Sequence, residues 1–409
     1  MSYKTLRSIF HALGAAEAEH ERVRRARSAA TVSWPLALRE DEFFCHLVPE
    51  VALRLERIYR NEFTVHALWR DLPGPAAFQF VSSLIVHEIM STNDIEGIHS
   101  TRAEVEDALR AARRRTEPRR LRELAGLYLG LFDDPPQNPR SLPEVRGIYE
   151  NATQGEIDPR SAPDGDLFRA GRVTIEDGAG AAVHHGFFPE ASIASGLRVI
   201  LETMGSEDRP PLLTAVASHL LFEIVHPFYD GNGRTGRYLL ALALTRVLSP
   251  MTGLMTSRAI DDAKRAYYKA FSTAEDPLNR GDLTPSVIAL LSILEEGQST
   301  MLEELEAKRE ALRALNATLD SLQRSGASPG RSELDLLYVF GQNHLFADGA
   351  GLDLDELMHH MGRSRQSVRR YAAALQERGH VEALSHRPLV YVLTSSGRAL
   401  LQLPEIVGA

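Results

Sequence analysis

Twelve consecutive residues, His226-Pro227-Phe228-Tyr229-Asp230-Gly231-Asn232-Gly233-Arg234-Thr235-Gly236-Arg237, bring together a base, a carboxylate, a glycine turn and two cations, and lead straight into the apolar helical run Tyr238 to Val247. Gly231 and Gly233 let successive backbone N–H groups converge, and the N-terminus of the following helix adds its positive dipole end, so the segment is an anion cradle suited to phosphate. Arg234 and Arg237 share one face of the first helical turn and can reach adjacent phosphates with charge-assisted hydrogen bonds. Asp230 stands at the mouth of the cradle, where a carboxylate would repel phosphate unless a cation lay between them. Mg²⁺ held by one carboxylate and substrate phosphates is the usual arrangement. His226 is the residue type in this loop that titrates near neutrality, and it can remove a proton from an incoming hydroxyl. Base, metal ligand and cradle together imply phosphoryl-type transfer.

The same letters, Gly231 to Gly236, also fit the dinucleotide pattern G-x-G-x-x-G, which requires a preceding strand. Here Leu213, Val216, Ala217, Leu220, Leu221 and Ile224 recur with helical period, so a helix leads in and the dinucleotide reading is set aside. The lysine-bearing phosphate loop of nucleoside triphosphatases is absent from the sequence. Upstream, Val81, Ile85 and Ile89 form a helical ridge that brings Thr92 and Glu96 onto or near the same face before Gly97 permits a stop. Thr101 and Glu104 read as a capping box that starts the next helix.

The segment from His226 to Arg237 resembles the signature of the Fic family, His-x-Phe-x-Asp/Glu-Gly-Asn-Gly-Arg-x-x-Arg, at every defined position, and the resemblance extends over roughly residues 60 to 295, including Phe168-Arg169 and Arg265 to Phe271. It implies a mainly α-helical protein: a Fic-type helical bundle with a β-hairpin flap. It also implies an adenylyltransferase using ATP and Mg²⁺, in which a target Ser, Thr or Tyr hydroxyl attacks the α-phosphate and expels pyrophosphate. On that resemblance His226 is the base and Asp230 the Mg²⁺ ligand. The α-phosphate region falls to Gly231, Asn232 and Gly233, the β- and γ-phosphates to Arg234 and Arg237, with Thr235 and Gly236 in the same nucleotide loop. Tyr268, beside Tyr267, lies where relatives place aromatic residues near adenine, although helix packing accounts for both equally well. Thr92-Asn93-Asp94-Ile95-Glu96-Gly97 is similar to the family's inhibitory motif, which implies that Glu96 pairs with Arg237 and competes with the γ-phosphate. Removal of AMP from a modified protein, or transfer of another phosphate-containing group, fits the same residues.

These groups must be positioned by a chain of 409 residues with formal charge −9, 44% hydrophobic and 25% charged residues, values typical of a folded protein too long for one ordinary domain. The acidic balance disfavours a whole-surface grip on nucleic acid. One cysteine, Cys45, excludes an internal disulfide or a cysteine-based zinc site. The start lacks the apolar core of a signal peptide, and no apolar run is long enough to cross a bilayer, so the expectation is a cytoplasmic protein without a membrane role.

Helical periodicity dominates, and two patches read as strands. One is a hairpin over 171–188, whose turn is Asp177-Gly178-Ala179-Gly180. By the resemblance it is the flap that receives the target protein, or a segment of this protein itself, by strand addition. Its end departs from the double proline of many relatives: His184-His185-Gly186-Phe187-Phe188-Pro189 leaves the target's register open, and the two histidines lack a third ligand for zinc. The other patch, Val381 to Thr394, follows three helices, Leu334 to Phe346, Leu354 to Met361 and Ser364 to Arg378, an order that resembles a small winged-helix domain.

The third of these helices carries Arg363, Arg365, Arg369, Arg370 and Arg378, a stripe suited either to DNA phosphates or to protein docking. DNA binding by residues 331–409 would make the chain a nucleotide-sensing regulator instead of an enzyme. Between the two patches, leucines from Leu302 to Leu322 form a helical seam, packed on its own domain or dimerising as a coiled coil, and Ser325 to Gly330 reads as a linker. The expected divisions are an N-terminal helical region (1–79), the inhibitory-motif helix and its successor (80–110), the Fic core (111–297), the leucine-rich helix and linker (298–330) and the winged-helix-like domain (331–409).

Overall fold

The lead-in to the cradle is the helix Pro211–Val225, started by Pro211, whose missing N–H costs nothing at a helix start. Its residues are mostly apolar on every face and nearly all buried, so it is a central helix and not an amphipathic surface one. The helix Asn232–Val247 packs against it and is likewise enclosed, its own arginines Arg234 and Arg237 included. Helices Arg122–Asp133, Leu142–Ala152, Glu190–Met204, Thr256–Asp262 and Lys264–Glu275 surround this pair.

The computed structural model describes residues 3–114, 120–176, 182–325, 329–347, 351–386 and 389–404. The protein is mainly helical, and its chain divides into two units, Met1–Phe63 with Ile85–Ser299, and Thr64–Leu84 with Thr300–Ala409. Among the described residues, no helix is long and apolar enough to cross a membrane.

In the first unit, the flap is an antiparallel pair, Thr174–Glu176 with Ala182–His185, in the register Thr174↔His185 and Ile175↔His184. Its expected turn at 177–181 lies outside the described residues. A second hairpin, Thr31–Leu38 with Asp41–His46, is not among the two patches read from sequence. Pro35 breaks the alternation that would have marked it, and the register shift between Trp34 and Ala37 accommodates that proline. Trp34, Phe43 and Phe44 are buried beneath it. Phe44 is bonded on both sides to the segment entering the helix that starts at Thr284, accepting from Leu283 N–H at 2.8 Å and donating to Gly281 O at 2.9 Å.

The inhibitory-motif helix is Gly74–Ile95, and within this unit Ile85 and Ile89 are fully buried, as the ridge requires. Gly97 follows at φ 71°, the left-handed stop, and Thr101 and Glu104 form the expected box around the start of Arg102–Arg114.

The second unit contains Arg331–Phe346, Leu354–Met361 and Arg365–Glu377 around Leu336, Phe340, Leu357, Val368 and Leu375. Its sheet has three strands and not two: Leu352–Asp353 pairs with Leu389–Leu393, which pairs with Val381–His386. The extra strand ends where Asp353 caps the next helix, accepting from Asp355 and Glu356 N–H, a role too local to distinguish from a loop by periodicity. The leucine seam belongs to a 42-residue helix, Thr284–Ser325, with Leu305, Leu312 and Leu315 buried. That helix is continuous through residue 298. Half of the expected linker, 326–328, lies outside the described residues.

One buried acid anchors the helix Gly74–Ile95. Glu88, one turn before Thr92 and fully buried, accepts from Ser257 Oγ at 2.6 Å and Ser257 N–H at 2.7 Å. Burial pushes its carboxyl up to about 7, and the two Ser257 bonds only partly offset that. Because the folded value exceeds the unfolded one, the folded protein holds an extra proton, and stability falls as pH rises through the window between them. Glu88→Gln should therefore flatten the profile: its urea-unfolding free energy relative to wild type should shift by up to about 3 kcal/mol between about pH 4 and about pH 8. A constant difference would mean that Glu88 stays ionised when buried.

Candidate active site

The central helix ends because His226 takes a left-handed conformation, φ 51° and ψ 66°, uncommon for a residue with a side chain. The ring is oriented locally: Nδ1 lies 3.3 Å from Glu223 O, and since a carbonyl only accepts, Nδ1 carries the proton and Nε2 the lone pair of the neutral ring. That is the form a general base needs. Phe228, fully buried, stacks on Tyr149 at 3.7 Å and packs against Phe168, which pins the loop between helices.

The signature residues divide into those that build the turn and those that line it. Asn232 donates to Phe228 O at 2.8 Å and accepts from Phe228 N–H at 2.9 Å. Its amide is therefore taken up by the loop's own backbone, so the Asn232 side chain shapes the cradle. Thr235 donates to Gly231 O at 2.8 Å and is fully buried, and Gly236 O receives His219 Nδ1–H at 3.1 Å, so both are also structural. Asp230 is exposed at the mouth, its Oδ1 accepting from Gly231 N–H at 2.6 Å. As the one exposed carboxylate of the loop beside two buried arginines, it fits a Mg²⁺ shared with phosphates better than an all-protein metal cage. Among the described residues no cluster of three metal-binding side chains occurs.

Gly233, Arg234 and Arg237 line the cradle, and both arginines are only 1% exposed. Arg237 donates from Nε to Thr92 Oγ1 at 2.9 Å, and from Nη2 to Thr92 O at 3.0 Å and to Glu96 Oε1 at 2.7 Å. Burial works against its charge, but Glu96 leads a set of neighbours that hold it firmly protonated. A Cβ on Gly233 would lie 2.1 Å from Glu96 Oε1 and 2.9 Å from Arg237 Nη1, so the glycine is what lets the carboxylate reach the cradle.

Arg234 donates to Glu156 Oε2 at 2.7 Å, while its buried Nε has no acceptor among the described residues. Glu156 also receives Arg120 at 2.8 Å, and Arg120 in turn reaches His99 O at 3.0 Å, just beyond Glu96. Tyr268, half exposed, donates to Ile95 O at 3.3 Å next to Glu96; Tyr267 is buried and bonds His219 Nε2 at 2.9 Å. His219 is held neutral, its value pulled down to about 3 by burial and then by Arg237. Glu223 keeps slight solvent access overall, but its Oε1 is enclosed without a partner, and burial pushes this carboxyl up to about 8.

Sequence reasoning missed Glu156, Glu88, Glu223 and His219. Glu88 carried a usable signal, since 88, 92 and 96 continue one helical face. Glu223 and His219 lie one and two turns before His226 on a helix read only for its apolar residues. Glu156, in a turn opened by Gly155 at φ 76°, carried none.

Residues 141–244 match the Fic/DOC family. The signature His226 to Arg237 lies within that match, so this segment of the chain is similar to the Fic/DOC domain. Over 138 residues it is 30% identical to protein adenylyltransferase fic-1 of Caenorhabditis elegans, covering 32% of this chain and 24% of that protein, so the match spans about a quarter of the relative. The crystal structure of a Fic family protein from Desulfovibrio desulfuricans G20 has the same fold, with TM-score 0.51 and 20% identity over 85% of this chain and 97% of the other. A structure of Fic-1 from C. elegans aligns at TM-score 0.45 and 18% identity over 74% of this chain and 81% of that one.

Gly231 combines a positive φ, 81°, with crowding: an added Cβ would lie 2.6 Å from Thr153 Cγ2. Gly231→Ala should lower stability by about 2–4 kcal/mol through strain and overpacking together, read as a fall in Tm. An unchanged Tm would show that the loop tolerates another backbone path.

Proposed function

We propose that the protein transfers AMP from ATP to a Ser, Thr or Tyr hydroxyl of a target protein and is held inactive by Glu96. The observation that carries this reading is the Glu96–Arg237 contact over Gly233: a carboxylate from outside the signature occupies an anion cradle that lies directly after an oriented histidine.

In the proposed reaction, His226 Nε2 takes the proton of the target hydroxyl as its oxygen bonds to the α-phosphorus. The bond from that phosphorus to the bridging oxygen breaks, and pyrophosphate leaves with the electron pair. Arg234, whose Nε lacks an acceptor among the described residues, and Arg237, once parted from Glu96, would hold the terminal phosphates; Gly233 leaves room for the α-phosphate region. Asp230 would hold Mg²⁺, whose chemistry when bound is to neutralise phosphate charge. Tyr268 stands beside Ile95 and Glu96 at the rim, in reach of a nucleotide base. The target segment would lie along the flap strand Thr174–Glu176 or Ala182–His185.

Glu96 and a γ-phosphate are anions that need the same guanidinium. With Glu96 29% exposed, the contact contributes a net ~1–3 kcal/mol, enough to lower the active population roughly 5- to 150-fold. Wild type, Glu96→Gly and Glu96→Gly/His226→Ala, given Mg²⁺, ATP labelled on the α-phosphate and a host lysate, should show weak, strong and absent protein labelling in that order. Equal labelling by the first two would remove Glu96 as inhibitor, and labelling by the double variant would remove His226 as base. Loss of label from premodified protein in wild type would instead favour AMP removal, and labelling only from another nucleotide would change the donor.

A second reading concerns the C-terminal unit, in which Arg363, Arg365, Arg369 and Arg370 are exposed on or beside Arg365–Glu377, and the facing acid Asp355 is 3.8 Å from Arg365. This face supports a phosphate-binding partner such as duplex DNA. The full chain should then shift duplex DNA in a salt-dependent way, and Arg365→Glu/Arg369→Glu should abolish the shift; no binding at low salt removes the reading.

A further inference from the structure

The flap and the catalytic loop are joined through one side chain. Arg169 is fully buried, and each of its three guanidinium nitrogens donates to a backbone carbonyl: Nε to His226 O at 2.8 Å, Nη1 to Gly171 O at 2.7 Å and Nη2 to Phe187 O at 2.7 Å. Gly171 and Phe187 flank the two ends of the flap hairpin, and His226 is the residue whose left-handed backbone ends the central helix. A carbonyl turned out of a helix in that way needs a donor from elsewhere, and Arg169 Nε supplies it. Three further bonds run alongside: Arg169 N–H to Pro227 O at 3.1 Å, Phe187 N–H to Val225 O at 3.0 Å and Gly171 N–H to the Tyr229 hydroxyl at 2.7 Å.

Among the described residues no carboxylate pairs with Arg169. A buried guanidinium without a counter-charge is expensive, and a neutral donor could satisfy any one of these carbonyls. What only a planar, three-pronged donor can do is satisfy all three in a fixed relation. Gly186 closes the arrangement, since a Cβ there would lie 2.4 Å from Arg169 Nη2 and 2.9 Å from His226 Cβ. The flap's returning strand thus ends directly against the histidine, at the position where the sequence lacks the double proline of its relatives.

We propose that Arg169 is a positioning residue that sets the flap and His226 as one unit, so that a target strand on the flap and the base acting on its hydroxyl keep a fixed register. The proposal deepens the reading of His226 as base and the flap as target dock. Because the link runs through carbonyls at both flap ends, shifting either end shifts the His226 backbone.

The test uses the full chain carrying Glu96→Gly, with Arg169→Lys, Arg169→Gln and, as a control, Arg7→Ala, which removes a surface guanidinium paired with Asp276 at 2.6 Å and outside the flap and the loop. Amide exchange at Phe187 and the His226 side-chain resonance, assigned by its loss in His226→Ala, report the coupling without any reaction. ATP affinity and labelling kcat report its consequence. Both Arg169 variants should keep a cooperative thermal transition and bind ATP within about three-fold of the parent, yet exchange Phe187 at least about ten-fold faster, displace the His226 resonance, and lose roughly a hundred-fold in kcat. Arg169→Lys should recover part of the loss seen in Arg169→Gln, and Arg7→Ala should leave all four readouts near the parent.

Unchanged exchange and resonance in folded variants would overturn the proposal, as would a kcat loss that only tracks ATP affinity. Unfolding of both Arg169 variants would reduce the residue to a structural role and also overturn it. If the Glu96→Gly parent labels no protein, the AMP-transfer reading fails, while exchange at Phe187 and the His226 resonance still decide whether Arg169 couples the flap to the loop.

Discussion

A guanidinium removed from water must meet an anion or a set of carbonyls, and three such groups organise this protein: Arg237, Arg234 and Arg169. Arg237 meets Thr92 and Glu96, which sets both the depth and the rotation of the helix Gly74–Ile95, because the hydroxyl and the carboxylate must arrive from one face a turn apart. Gly233 is small because that carboxylate needs the space. Arg234 meets Glu156, and through Arg120 the same carboxylate is tied to His99, just beyond the inhibitory motif. The segment carrying Glu96 is therefore bonded to the cradle before and after the glutamate. In the proposed cycle a nucleotide's phosphates replace carboxylates on guanidinium groups already in place, so binding exchanges anions instead of building a site.

Charge around Arg237 is rationed by burial. Glu88, Glu96 and Glu223 all act on it electrostatically or directly, yet Glu96 alone makes the ion pair, and it alone of the three has substantial access to water. Burial keeps Glu88 and Glu223 from ionising readily, and His219, held neutral, passes a hydrogen bond from the Tyr267 hydroxyl to Gly236 O without adding a cation. The cradle thus holds one solvent-accessible counter-charge against Arg237. Had Glu223 been as solvated as Glu96, two carboxylates would compete for the guanidinium, and neither the closed nor the open arrangement would be unique.

Parts of this were legible in the chain of letters. The helix leading into the loop, the glycine start of the next helix, the two arginines on one turn and the ridge leading to Thr92 and Glu96 are consequences of residue type and short-range periodicity, and they appear where those rules put them. The N-terminal hairpin was hidden by Pro35, whose disruption is absorbed by a bulge that only its partner strand reveals. The short strand Leu352–Asp353 was hidden for a related reason: two residues carry no period.

The sequence by itself determined the chemistry available to this protein, because the histidine, acid, glycines and arginines lie within twelve residues and local backbone rules suffice to converge them. Only the tertiary structure decided which groups answer them. Glu156 is 78 residues from Arg234, Glu96 is 141 from Arg237 and Arg169 is 57 from His226. An ion pair or a carbonyl bond across such separations depends on how helices pack, and no property of the intervening letters encodes a distance. The same packing assigned Asn232, Thr235 and Gly236 to the turn itself, a division that side-chain type alone leaves open because an amide, a hydroxyl and a glycine serve a ligand and a backbone equally well.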